Sequence, residues 1–483
     1  MSKTAIILLA FSLFGCSQSF DPKHTFTPTQ LHEDYAIMRQ ALVEAHPGIY
    51  RYTSPDSMRL IFDKTEKQLD HDMTQREFRR VTSPVFSLLR CGHTDIYSSS
   101  GYLKYIKKHP PKDLPIGVDF LEQKIRVTKN RSTDSTVRIG NEVLQINDQP
   151  IAEIIAQMRE LIASDGYNQT FKNTLINQNF DGYYRFLYGE TDSLKVMLKD
   201  SVDKISLLNI KLKKPLKAVI KKDSVSKTTK PVAKKVSKSD LKRTLTFSTK
   251  DSSLAILDIN TFSDDSYRSF YKKAFKKIAE KGSKNLVIDV RNNGGGASAA
   301  STKLMSYLLD SNFVVYDTVY SPLTKKPSFN KYYTWKFVRF ISRTFFSIKL
   351  PNGGMLQGTS GDVEKPTKKY HFNGNTYILT NGGSFSAASI FPSIAQLNDK
   401  TVKVIGRETG GGRHGCNAFI SPYVVLPNTK TRVRLPMYKL LLHVPGKDIG
   451  RGVMPDYPVD YTFKAAMAGQ DLDMEKVYEL IKK

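Results

Sequence analysis

The chain of 483 residues has only three cysteines, too few for a disulfide-scaffolded fold, and a single tryptophan. It has no run of about eighteen apolar residues, so no segment reads as a membrane-spanning helix. It also has no zinc-finger spacing and no RNP-type aromatic motif. Acids are scarce beside bases: 46 Asp and Glu stand against 73 Lys and Arg, a net charge of +27. On a folded face that surplus would suggest nucleic acid or an anionic surface. Its distribution argues otherwise. Residues 211–250 alone carry fourteen Lys or Arg against two Asp, with few aromatics and with Pro215 and Pro231 to break any helix. We read that stretch as a solvated basic linker or loop, and nucleic acid is not expected as a partner. What is plentiful is ordinary: 40% apolar and 11% aromatic residues can bury a sizeable core, and the length suits two or three domains.

The N-terminus reads as an address. Lys3 precedes an apolar stretch from Ala5 to Phe14 that is too short to span a bilayer, and Gly15-Cys16 follows. This resembles a bacterial lipoprotein signal, residues 1–15, with Cys16 as the lipidated first residue and 16–26 as a tether. Phe14 is larger than the residue usual there. The expected location is the bacterial cell envelope, lipid-anchored at the outer membrane or cell surface. Cys91 and Cys416 are then the two thiols left to pair, and spacing alone does not decide whether they do.

Thr27-Pro28-Thr29-Gln30 is a helix start, and Leu31, Tyr35, Met38 and Leu42 recur at helical spacing up to His46-Pro47-Gly48. Further helical stretches at 55–69 and 74–90 complete a helical lobe, 27–110, that ends in Gly92-His93-Thr94. Residues 111–210 turn β-rich. Their segment Ile139-Gly140-Asn141-Glu142-Val143-Leu144-Gln145-Ile146-Asn147-Asp148 resembles the signature of a PDZ domain, with Asn141 and Asp148 departing from it. From 251 to 465 strands alternate with helices: Leu254–Ile259, a helix near 264–281, Asn285–Val290, Tyr377–Thr380, a helix from Ser386 to Leu397, and Val402–Ile405. That order implies a sheet with parallel members. Residues 466–483 read as a terminal helix.

Two turns in this region carry chemistry. In Arg291-Asn292-Asn293-Gly294-Gly295-Gly296, bare backbone N–H groups precede a helix, which suits an oxyanion or a phosphate. Gly294, Gly296, Ala299 and Asp317 loosely fit a dinucleotide motif, but an exported protein rarely meets free dinucleotide, and no cofactor or metal is expected. In Thr380-Asn381-Gly382-Gly383-Ser384-Phe385-Ser386-Ala387, a strand ends and Ser386 opens a helix. There a serine Oγ is exposed and the Ala387 N–H points at developing negative charge. The plainer reading is that Ser384 and Ser386 are helix caps.

Val287-Ile288-Asp289-Val290-Arg291-Asn292-Asn293-Gly294-Gly295-Gly296 resembles the signature of the tail-specific, or C-terminal-processing, serine peptidases, relatives of the tricorn core and the retinoid-binding protein repeats. Ser386-Ala387, Val404-Ile405-Gly406-Arg407-Glu408-Thr409-Gly410-Gly411-Gly412 and Gly450-Arg451-Gly452-Val453-Met454-Pro455-Asp456 match three further motifs in order. The resemblance implies an α/β and α+β multidomain architecture: a helical lobe, a PDZ-like unit and a crotonase-like, ClpP-like catalytic domain. It implies Ser386 as nucleophile and Gly295, Gly296 and Ala387 as oxyanion donors, acting on protein or peptide. One branch of the family uses a Lys in the segment after the serine. That place is Gly411 here, and Arg413 cannot deprotonate. The other branch uses a His ahead of the PDZ-like unit, which points to His93, with His414 as rival base and His46 and His443 as structural. Glu408 and Asp448 are the candidates for the acid that orients the His. A non-catalytic binder of peptides or apolar ligands on the same fold is the alternative. The sequence leaves the oligomeric state open.

Overall fold

The computed structural model describes residues 20–121, 123–212, 242–263, 265–323, 325–351 and 354–482. The Cys16 signal and residues 213–241 of the basic stretch lie outside them.

The C-terminal region is built on a six-stranded sheet. Its order is Arg243–Phe247, Leu254–Ile259, Asn285–Asp289, Asn375–Thr380, Val402–Gly406, Tyr457–Pro458. The first pair is antiparallel and every later pair is parallel. The strands are apolar on both faces because both faces are covered. Ala255, Leu257, Leu286 and Ile288 feed a core shared with helices Tyr267–Glu280, Ser298–Met305 and Ala387–Asn398. Leu254, Val287, Leu379 and Ile405 alternate with them onto the opposite face, against Val477 of the terminal helix Leu472–Ile481. Parallel strands deliver their C-terminal ends to one edge, so the turns after Asp289, Thr380 and Gly406 meet there.

One boundary needs correction. Arg243–Phe247, placed by composition in the basic linker, is the edge strand of this sheet, and its Leu245 and Phe247 pack against the core. Residues 111–210 form an antiparallel sheet of Ile116–Leu121, Lys124–Asn130, Glu142–Ile146, Ser193–Lys199 and Ile205–Lys211, backed by helices Ile151–Glu160 and Thr170–Tyr188. The Asn147-Asp148 turn takes positive φ at both residues (49° and 63°), as a tight hairpin requires.

The helical lobe contains Pro28–Ala45, Pro55–Glu66, Gln75–Leu89 and Ser100–Lys108. Thr27 and Gln30 form the expected capping box. The lobe is not closed by its own residues. Leu323, Phe329, Tyr333, Val424, Leu426, Val433 and Leu435 return from the α/β region to complete its core. The strand Asp95–Tyr97, just after His93, pairs with Arg432–Arg434. The two regions are therefore interwoven, and His93 is fixed against the α/β region by main-chain hydrogen bonds. Among the described residues, no helix is long and apolar enough to cross a membrane.

Candidate active site

The two turns are laced together. Ser384 is fully buried, and its hydroxyl donates to Val290 O at 2.8 Å and accepts from Asn381 N at 3.1 Å. Asn381 accepts from the main-chain N–H of Asn292 and Gly383, and its Nδ2 donates to Asn292 Oδ1. Asn293 is buried, donates to Ile259 O at 2.7 Å, and accepts from Phe385 N through its carbonyl. Arg291 is bound to Asp289, Asp471 and Asp473, so it anchors the glycine turn from behind.

Ser386 differs from Ser384 in every respect. It is partly exposed and its side chain caps nothing. Its backbone sits at φ 56°, ψ −123°, a strained place for a residue with a Cβ. Such strain costs on the order of 1–3 kcal/mol and collects at functional sites. The cap reading thus holds neither residue: Ser384 is a tie between turns and Ser386 is presented to a cleft. The glycine turn lies against it. A Cβ on Gly295 would stand 2.7 Å from both Ser386 Cβ and Phe385 O, and Gly295 itself has φ 96°. Only glycine permits that approach. Ala387 opens the helix, where first-turn N–H groups lack intrahelical partners.

One oxyanion candidate is corrected. The Gly295 N–H donates to Asn293 Oδ1 at 2.8 Å, so it is engaged. Among the described residues no acceptor competes for the Gly296 N–H, which with Ala387 lines the cleft beside Ser386. That cleft, of about 1990 Å³, also holds His93, Arg434 and Phe385 in its wall.

Residues 253–459 match the model of peptidase family S41. This region is a family S41 peptidase domain. Two solved structures share the fold of the whole chain. The structure of mature CPAF complexed with lactacystin aligns with a TM-score of 0.64 and 12% identity over 94% of this chain and 98% of that one. Mature CPAF alone aligns with a TM-score of 0.60 and 12% identity over 91% and 94%. No curated protein matches the chain in sequence.

In this domain the segment after Ser386 excludes a lysine at the alternative place. A Cβ on Gly411 would collide with Ser389 Oγ and stand 2.9 Å from Ser386 N. His93 lies instead in the cleft wall, 5% exposed, its ring stacked on Phe385 with centroids 4.6 Å apart. Phe385 in turn stacks on Phe171. Gly92 is glycine for the same reason: a Cβ there would stand 2.7 Å from the Phe385 ring. Burial, with the Arg434 charge adding to it, pushes the His93 imidazole down to about 3, so it is neutral at pH 7. Its Nδ1 is buried with no hydrogen-bond partner.

His414 does not line the cleft. It lies 3.9 Å from Asp448 and 3.4 Å from Pro445 O. His46 is buried and doubly bonded, to Thr94 Oγ1 and Gly48 N, and exposed His443 pairs with Asp317.

Both acids expected to orient the histidine are engaged elsewhere. Glu408 accepts from Arg451, Gly452 N and Asn168, tying two glycine-rich loops. Asp448 accepts from Arg51, Tyr52 and Gly450 N. Burial opposes the ionisation of Asp448, and the Arg51 charge and these donors outweigh it, holding its carboxyl below the usual range.

The carboxylate that stands beside His93 is Asp165, which sequence reasoning missed. A His93 ring nitrogen, an Asp165 oxygen and Cys416 Sγ all lie within 4.8 Å of one another. Asp165 accepts from Gly92 N at 2.9 Å and from Gly412 N at 3.4 Å, bridging the histidine segment and the loop after the serine. Burial pushes its carboxyl up to about 6, against the pull of Gly92 N–H and Arg51. Its only sequence signal is an Asp-Gly pair after an apolar run, which reads as a turn. Among the described residues this trio is also the one donor set spaced to hold a metal ion. Burial raises the Cys416 thiol well above its usual range, and that of Cys91 as well, so both are protonated. Both are free.

Proposed function

We propose that the chain is a serine endopeptidase that cleaves exported proteins or peptides through an acyl-enzyme. Ser386 is the nucleophile and His93 the general base and acid. His93 takes the Ser386 hydroxyl proton as Oγ adds to the scissile carbonyl. The N–H groups of Gly296 and Ala387 hold the resulting oxyanion. His93 then returns the proton to the leaving amine, and water, activated the same way, releases the acyl group. Asp165 is a positioning residue: it holds the Gly92 main chain next to His93 and balances the imidazolium charge that forms within a site otherwise adverse to it. In this reading the PDZ-like unit presents the substrate, and Cys16 anchors the mature protein to the cell envelope by lipid.

The observation that carries this reading is Ser386 itself: strained, uncapped, and in the same cleft as a neutral buried histidine that stacks on the adjoining Phe385. The test is cleavage of unfolded casein by the wild type and Ser386→Ala, with labelling by a serine-directed fluorophosphonate. Loss of activity by on the order of 10³-fold or more, together with loss of label, is expected. A Ser386→Ala variant that cleaves as fast as the wild type would overturn it.

A further inference from the structure

The helix Lys336–Phe345 is built inside out. The face it turns to the protein is polar: Ser342 is buried and bonds Tyr438 OH at 2.6 Å, and buried Arg339 donates to Lys325 O at 3.0 Å. Its large apolar residues face outward. Phe337 is 73% exposed and Phe345 68%, and Trp335, Phe340, Phe346 and Ile348 of the same short segment are each about half exposed or more. An exposed aromatic face this dense on one helix and the strand after it marks an interaction surface. None of these residues lines the active-site cleft.

The charge around the patch says what it meets. From Thr318 to Gly361 there is no Asp or Glu. Lys325, Lys326, Lys331, Lys336 and Lys349 are exposed at its borders. One acid from outside, Glu44, is engaged by Ser328 at the start of the segment. A second copy docked symmetrically would set these lysines against their own kind. Residues 213–241, with ten Lys and two Asp, carry the same sign. An anionic lipid bilayer carries the opposite sign and takes Trp and Phe at its interface. We propose that the segment 335–348 is an interfacial membrane-binding surface: its aromatic face sits among lipid headgroups and its lysines meet anionic phosphate. This contact is independent of any lipid on Cys16 and of the chemistry at Ser386.

Trp335 is the only tryptophan, so its emission reports the patch alone. The experiment titrates the full chain carrying Cys16→Ala with phosphatidylcholine vesicles, with and without roughly 30% phosphatidylglycerol. A blue shift is expected with anionic vesicles at about tenfold lower lipid than with neutral ones. Phe337→Ser/Phe345→Ser should abolish the shift, and Lys331→Glu/Lys336→Glu should weaken it about tenfold, both with casein cleavage unchanged. Because each variant keeps the same N-terminus, binding through residues 5–14 cannot imitate this pattern. Emission unmoved by anionic vesicles overturns the proposal. So does a blue shift that follows protein concentration without lipid, which would mean a second copy covers the face. Equal shifts with neutral and anionic vesicles overturn the role of charge.

Discussion

Two buried histidines in the same lobe, His46 and His93, are both pushed down to about 3 by desolvation. By that measure they are the same. Their hydrogen bonds separate them. Both nitrogens of His46 are matched, one to Thr94 Oγ1 and one to Gly48 N. His93 leaves Nδ1 buried and unmatched, and one of its ring nitrogens lies within 4.8 Å of a carboxylate oxygen and a thiol. A buried polar atom without a partner costs about 1–3 kcal/mol, and folds keep such a cost where a function needs the atom. The pair shows that a shifted imidazole marks burial; what sets His93 apart is an unmatched nitrogen on a ring in the wall of the cleft that Ser386 lines.

The sharpest way to break this comparison is to remove each ring. His93→Ala should lower kcat/KM by on the order of 10³-fold or more while the melting temperature holds or rises, because an orphaned polar group is lost with the ring. Casein cleavage and calorimetry on one preparation read both. A His93→Ala variant that keeps its rate but unfolds easily would reverse the roles of the two histidines.

The next effect separates Asp165 from an ordinary buried acid. Its folded value of about 6 lies above the unfolded value of 3.8. Such a shift favours the fold fully below 3.8, and that contribution is lost as pH rises through 6. Asp165→Asn should therefore stabilise the protein at pH 7 by about 1–3 kcal/mol, with no gain near pH 3.5. It should also cost about 10- to 100-fold in kcat, because the imidazolium loses its counter-charge. His93 is pushed well below 6.5, so the wild-type rate should show an acid limb near pH 6 that belongs to Asp165 and vanishes in the variant. A limb that persists unchanged in Asp165→Asn would remove Asp165 from the mechanism.

These residues differ in how far the sequence exposed them. Ser386 and the glycine turn were legible because each sits in a local pattern: a strand end, small residues, a helix start. His93 has no such pattern and was reached through the family resemblance and the lysine missing at Gly411. The four central parallel strands were legible as local patterns too, since Leu254–Ile259 through Val402–Gly406 are short continuous apolar runs. Asp165 was not. It is 72 residues from His93 in the chain, and a turn acid looks like any other until the fold brings Gly92 N onto it. The acids chosen instead, Glu408 and Asp448, lay nearer the motifs in sequence, and the fold matched each to an arginine. The sheet of Ser347–Lys349, Met355–Gln357, Tyr316–Ser321, Tyr438–Leu442 and Asn417–Ala418 escaped because its strands are short and far apart in the chain. The inverted helix Lys336–Phe345 escaped because periodicity gives an apolar face without saying which way it points.

A smaller effect should follow from the satisfied histidine. His46→Ala leaves Thr94 Oγ1 and Gly48 N without their partner, and should cost about 1–3 kcal/mol of stability. Activity per folded molecule should stay within about twofold. Thr94 adjoins His93 and also donates to Cys91 Sγ at 3.2 Å, so a larger rate loss would mean that His46 acts through that chain.

The smallest effect is expected at His414, which shares the loop after the serine but faces Asp448 and Pro445 O. At 3.9 Å its contact with Asp448 is a loose one, and Asp448 is already held by Arg51 at 2.7 Å. Removing the ring therefore leaves no charge without a partner. His414→Ala should change kcat/KM by less than about twofold and stability by less than about 0.5 kcal/mol. The pH–rate profile is the deciding measurement. If His414 were the base, its replacement would erase the activity that His93→Ala spares, and the two profiles would exchange places.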